Sequence, residues 1–208
     1  QWSSPKFDDS RWPVISTAQD WESQGYTYYD GFGWYRKILK IPVSLEKQIK
    51  KYGGILIKYH QVDDVDELYF NGHKIGTTGS MPPNFITGFG KRRVYFVPSK
   101  YIYFNDKPNV IAVRVYDAVG NGGLITERTV IQAMNAASAI QLSFNFPAKE
   151  WVFLKNDPQR LDLTLKNTLK EKLSSHIVFV LKTDMNQPVD SIVFPFSIKA
   201  ANKSVFVV

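Results

Sequence analysis

The densest acidic charge in the chain is the run Asp63-Asp64-Val65-Asp66-Glu67. Grouped carboxylates suit a hard cation such as calcium, which takes oxygen ligands. An EF-hand loop, however, needs acidic residues at alternate positions, then a glycine and a distal glutamate. Here Leu68-Tyr69-Phe70 follows and reads as a strand, so the run is expected to be a turn between two strands. The three histidines, His60, His73 and His176, have no other candidate ligand at metal-binding spacing. The sequence predicts no metal site and no cofactor. Nucleophile motifs are missing too: there is no G-x-S-x-G elbow, and Gly79-Ser80 leads into Met81-Pro82 rather than a strand-turn-helix. No phosphate-binding or dinucleotide-binding glycine pattern occurs. The absence of cysteine excludes disulfides, thiolate metal sites and cysteine nucleophiles. No catalytic residue emerges.

Aromatic residues give a stronger signal. The segment Tyr26-Thr27-Tyr28-Tyr29-Asp30-Gly31-Phe32-Gly33-Trp34-Tyr35 crowds rings around two glycines. Aromatic faces stack on the apolar face of a pyranose while nearby Asp and Asn side chains bind its hydroxyls. The competing use of such rings is to fill a sandwich core. Basic clusters at residues 47–51 and at Lys91-Arg92-Arg93 raise nucleic acid as a partner. Tyr95 and Phe96, which would have to stack on bases, lie on a predicted strand where only one of the two can face outward. The net charge of +7 is spread along the chain with no basic tail, so it reads as a solvated surface and no nucleic-acid partner is expected.

The elements that must carry these residues read as β. With 44% hydrophobic and 22% charged residues, the composition is that of a folded domain rather than a disordered chain. No apolar run approaches the roughly 18 residues of a membrane helix. Gln1-Trp2-Ser3-Ser4 lacks the features of a signal peptide, so the numbering is expected to start inside a longer precursor that is secreted, periplasmic or at the cell surface. Strands are predicted at residues 34–41, 55–62, 67–71, 93–97 and 109–116, with a hairpin turn at Asn71-Gly72. One short helix is predicted at residues 45–51, capped by Ser44 and stopped by Gly53-Gly54.

Composition changes near residue 135. Every glycine lies at or before Gly123 and every tyrosine at or before Tyr116. Residues 132–139 read as a connector. Beyond it, strands are predicted at 140–146, 161–167, 176–183, 192–199 and 204–208, separated by turns such as Asn156-Asp157-Pro158. This spacing suits an immunoglobulin-like sandwich. Such a fold needs about seven strands, so the second domain, 140–208, is expected to be incomplete. The expected fold is all-β: a jelly-roll sandwich over 1–135, then this immunoglobulin-like one.

An ordered set of motifs resembles the sugar-binding domain of glycoside hydrolase family 2. It opens with Phe7-Asp8-Asp9-Ser10-Arg11-Trp12, Trp21-Glu22 and Asp30-Gly31-Phe32-Gly33-Trp34-Tyr35-Arg36-Lys37, then Ile41-Pro42. It continues through Val62 to Gly76, Arg93-Val94-Tyr95-Phe96-Val97-Pro98 and Asn109-Val110-Ile111-Ala112-Val113-Arg114-Val115-Tyr116-Asp117. Gly120-Asn121-Gly122-Gly123 closes it. The resemblance covers about residues 1–130. It implies a galactose-binding-like jelly roll, an immunoglobulin-like sandwich after it, and a catalytic domain C-terminal to both that holds the family's catalytic carboxylates. Similar domains also occur beside carbohydrate esterases. By this resemblance the loops at 28–34 and 117–123 reach toward substrate, which makes Tyr28, Asp30, Trp34, Asp117 and Asn121 the expected contacts to an oligosaccharide or polysaccharide. The loop 79–89 is expected to add a wall. The alternative is a structural spacer with no sugar affinity of its own.

Overall fold

A computed structural model of the chain describes residues 2–145, 162–169 and 171–207. Trp151, the turn Asn156-Asp157-Pro158, Leu161 and Val208 lie outside the described residues. The chain divides into two compact units, Gln1–Met134 and Asn135–Val208. Among the described residues, no helix is long and apolar enough to cross a membrane.

The first unit runs β1 (Gly31–Leu39), α1 (Val43–Tyr52), β2 (Gly54–Tyr59), β3 (Gln61–Asp63), β4 (Val65–Phe70), β5 (His73–Thr78), β6 (Arg93–Pro98), β7 (Asn109–Asp117), β8 (Gly123–Ile125) and β9 (Val130–Ala133). Its strands form a four-stranded sheet in the order β1-β7-β4-β5, a three-stranded sheet β6-β2-β9, and the pair β3-β8. One core joins them: Tyr35, Leu68, Phe70, Ile111, Val113 and Val115 from the first sheet meet Ile55, Ile57, Tyr59, Tyr95 and Val97 from the second. The two-residue period of each strand puts alternate side chains on this face. On β6, Arg93, Tyr95 and Val97 point in while Val94 and Phe96 are exposed. The all-β sandwich is therefore the fold.

Several local expectations need correction. The helix starts at Val43, one residue before Ser44, and no side chain caps it. Pro42, with φ −56° and ψ 133°, already sets the entry, so Ser44 falls inside the first turn. Residues 55–62 are two strands, since the chain leaves β2 after Tyr59 and β3 pairs with β8 in another sheet. The acidic run does bend at Asp64 between β3 and β4, but the turn is shorter than expected: β4 already begins at Val65, and Asp66 and Glu67 are buried strand residues. Residues 132 and 133, read as the start of the connector, are the end of strand β9 on β2.

Asn71-Gly72 makes the expected hairpin turn, with φ +49° and +84° and Phe70 opposite His73. Asn71 does more than turn the chain. Its amide donates to Asn109 Oδ1 and to the Tyr101 carbonyl, each at 2.8 Å, and its Oδ1 accepts from Val110 N–H at 2.8 Å. Asn71→Ala should remove three hydrogen bonds, two of them buried, and place alanine in left-handed backbone. An expected loss of about 2–3 kcal/mol is readable by urea unfolding.

The second unit contains β10 (Ile140–Asn145), β11 (Asp162–Asn167), β12 (Leu173–Lys182), β13 (Pro188–Ile198) and β14 (Lys203–Val207). These form the sheets β10-β11-β14 and β12-β13, around Leu163, Leu165, Phe196 and Ile198. Buried Asn167 ties the end of β11 to the end of β13: its amide donates to the Glu171, Ile198 and Lys199 carbonyls, and its Oδ1 accepts from Leu169 N–H.

Candidate functional site

Strand register brings distant acids to one end of the first unit. Gly31 lies opposite Asp117, which places Asp30 at the mouth of β7. Val65 lies opposite Tyr116, and Asp64 N–H donates to the Tyr116 carbonyl, so Asp64 stands beside Asp117. Asp63 pairs with Gly123 in the β3-β8 ribbon. The row Ile111, Val113, Val115 on β7 points into the core, and Asp117 is its next member. Asp117 is consequently 0% exposed.

The carboxylates of Asp63, Asp64 and Asp117 each offer an oxygen, and all three oxygens lie within 4.8 Å of one another. Burial pushes Asp117 up to about 6, and the charges of Asp64, Asp30 and Glu22 add to the rise. Asp63 is likewise pushed up to about 6, first by burial and then by Asp64 and Asp117. Neither carboxylate oxygen of Asp117 accepts a well-formed hydrogen bond; the nearby Val119 amide offsets part of the rise. Asp64 is held on both sides, accepting from Thr87 Oγ1 at 2.6 Å and from Ala118 N–H at 3.1 Å. The loop 79–89 supplies Thr87 here and packs Phe85 on Tyr116 at 5.6 Å, so it walls this end.

Asn121 is exposed and donates to Asp20 Oδ2 at 3.2 Å. Beside it, Glu22 Oε2 accepts from Gly122 N–H at 2.9 Å. These bonds fasten the loop 118–122 to the short 3₁₀ turn Glu22–Gln24. Tyr28 is 94% exposed and sits at φ +58°. Asp30 is exposed as well. Tyr28, Asp30 and Asn121 are open to solvent, whereas Asp117 is sealed from any large ligand.

Trp34 lies away from this end, opposite Arg114 on the outer face of the sheet. Its ring packs on Tyr69 at 5.5 Å and edge-on to Trp2 at 5.8 Å. Arg36, on the same face of β1, pairs with Asp9 at 2.7 Å and donates to the Trp2 carbonyl, pinning the N-terminal segment across the strand. A cleft of about 440 Å³ results, lined by Trp2, Trp12, Trp21 and Trp34 with Tyr26 and Tyr29. Tyr26, Tyr29 and Trp34 belong to the aromatic segment of the sequence, and of these Trp34 alone was an expected sugar contact. Trp2 and Trp12 reach the cleft through the Arg36 anchor, a long-range contact that strand periodicity does not encode.

No protein-family model matches the sequence, and no curated protein matches it. Solved structures do share the fold. A β-glucuronidase from Bacteroides uniformis superposes with a TM-score of 0.64 at 20% identity, over 99% of this chain and 25% of that one. A glycoside hydrolase family 2 member from Bacteroides cellulosilyticus gives 0.63 at 18% identity, over 98% and 28%. A family 2 β-galacturonidase from Eisenbergiella tayi gives 0.55 at 13%, over 93% and 32%. The chain thus spans about a quarter to a third of the length of these enzymes. At this identity the likeness is one of fold, and it extends over both units.

Proposed function

We propose that this chain is a non-catalytic, substrate-positioning region of a larger glycoside hydrolase of the family 2 type, acting with a catalytic domain C-terminal to it. The observation that carries this reading is the coverage: nearly the whole chain matches glycosidases, and it matches only about a quarter of their length. The ordered motifs through Gly123 support it. Because the compared structures are glycosidases, an esterase parent is the weaker choice. Such a parent acts on polysaccharide outside the cytoplasm. Within the chain, an oligosaccharide meets the exposed Tyr28, Asp30 and Asn121 at the loop end, or stacks in the cleft at Trp34.

The burial of Asp117 favours a second reading, in which this end is a structural brace and the chain is a spacer. One experiment separates them. In the full-length parent, Tyr28→Ala and Asn121→Ala should each lower kcat/KM on oligosaccharide about tenfold, the loss of roughly one good hydrogen bond or stacking contact. Turnover of a short aryl glycoside should stay unchanged. Unchanged kcat/KM of both variants on oligosaccharide as well as on the aryl glycoside leaves the spacer.

A further inference from the structure

The structure assigns a new cation site: we infer that Asp63, Asp64 and Asp117 together hold a hard divalent ion, calcium in preference to magnesium. The inference does not depend on the sugar-contacting role. It starts from Asp117, a fully buried carboxylate with both oxygens unpartnered. A buried charge without a partner is among the costliest features a fold can carry, and such groups are normally paired or bound to metal. What faces this one is two more carboxylates, not a base. None of the ion pairs among the described residues involves Asp63, Asp64 or Asp117. Arg93 comes near, since its Nη2 donates to the Asp64 carbonyl at 3.3 Å, but its charge is committed to Asp66.

The geometry fits an ion between them. Oxygens on one calcium lie about 2.3–2.6 Å from it, so two of them can stand up to about 5 Å apart. The three oxygens fall within 4.8 Å of one another. The donor set is oxygen only, which suits calcium or magnesium and not zinc or copper. The hydrogen bonds from Thr87 and Ala118 orient Asp64 and still leave it lone pairs to donate. Magnesium demands near-ideal octahedral geometry, whereas calcium accepts an irregular set completed by water. A bound ion would cancel the repulsion among the three carboxylates and tie the β3-β4 junction to the end of β7. That junction is bonded through Ala118 to the loop bearing Asn121.

The test uses the 208-residue chain stripped with chelator, then titrated with calcium chloride or magnesium chloride in a calorimeter and melted with and without each ion. We expect one calcium per chain, weaker magnesium binding, and a Tm rise of about 5 °C or more at 100 times Kd. Terbium, a luminescent calcium substitute, should bind and be displaced by calcium. Asp117→Asn and Asp63→Asn should each weaken calcium at least tenfold and abolish the Tm rise. Their melting in chelator should match or exceed that of the unmodified chain in chelator, because a charge has gone from the cluster. If the unmodified chain shows no calcium heat and no Tm shift, or if both variants bind calcium as the parent does, the assignment is wrong. Should a variant fail to fold, the stoichiometry of the unmodified chain, one ion or none, decides.

Discussion

Replacing Arg93 by methionine is expected to remove about 3–5 kcal/mol from the first unit, the largest loss expected of any single charged residue in it. Arg93 and Asp66 are both 0% exposed and pair at 2.9 Å. Asp66 also accepts from the Tyr59 hydroxyl at 2.6 Å and the Tyr95 hydroxyl at 2.7 Å. Arg93 donates besides to the carbonyls of Lys91, Val62 and Asp64. Each group of the pair thus has several partners, which is the condition under which a buried ion pair is tolerated. Burial and the Asp66 charge raise both tyrosines above their ordinary range, so the hydroxyls stay protonated donors. Methionine keeps much of the aliphatic volume and leaves a carboxylate in the core with no cation.

Total stability of a domain is only about 5–15 kcal/mol, so this loss is a large share of it. The urea midpoint should fall by about 2 M. Arg93→Met/Asp66→Leu should lose less than the two single changes added together, since no charge remains to be stranded. A midpoint for Arg93→Met within 0.3 M of the unmodified chain would mean that the pair contributes little. The same arginine shows where sequence reading fails. Beside Lys91 and Arg92 it looks like part of a basic surface patch. Only strand alternation on β6, which turns it inward with Tyr95 and Val97, and a partner 27 residues away reveal its place.

What the sequence made legible was local. Strand β7 is a run of Val, Ile and Ala whose alternate members face one core, and Asn71-Gly72 needs positive φ at both positions. Strands β8 and β9 were missed because they are three and four residues long and have little alternation of their own. They exist because the backbones of β3 and β2 offer them partners. The candidate site was legible in part. Asp30, Asp117 and Asn121 fall at the same end because β1 pairs with β7 in antiparallel register. Trp34 falls elsewhere because it lies four residues beyond Asp30 along β1, on the outer face. The neighbours of Asp117 were not legible. Asp63 and Asp64 are more than 50 residues away in sequence, and their own run suggested a turn.

The loop end also depends on one ring, and Trp21→Ala is expected to cost about 3–5 kcal/mol. Trp21 is 4% exposed and wedged between two glycines from separate segments. A Cβ on Gly33 would lie 2.5 Å from Trp21 Cζ3, and one on Gly122 would lie 2.3 Å from Cζ2. Both glycines are therefore fixed by contact with the indole rather than by backbone angle, since neither has positive φ. The backbone of Trp21 holds the neighbouring loops: its N–H donates to the Gly122 carbonyl at 3.0 Å, and its carbonyl accepts from Tyr26 N–H at 3.1 Å. Gly122→Ala should overpack the ring, lose about 1–3 kcal/mol and shift tryptophan fluorescence to the red as the indole moves toward water. In Trp21→Ala/Gly122→Ala the added methyl meets the space the ring left, so the double change should cost clearly less than the sum of the singles. That coupling, of about 1 kcal/mol or more, is the signature of direct packing. Additive losses would instead mean that Gly122 matters through the backbone of its loop and that Trp21 is an independent core residue.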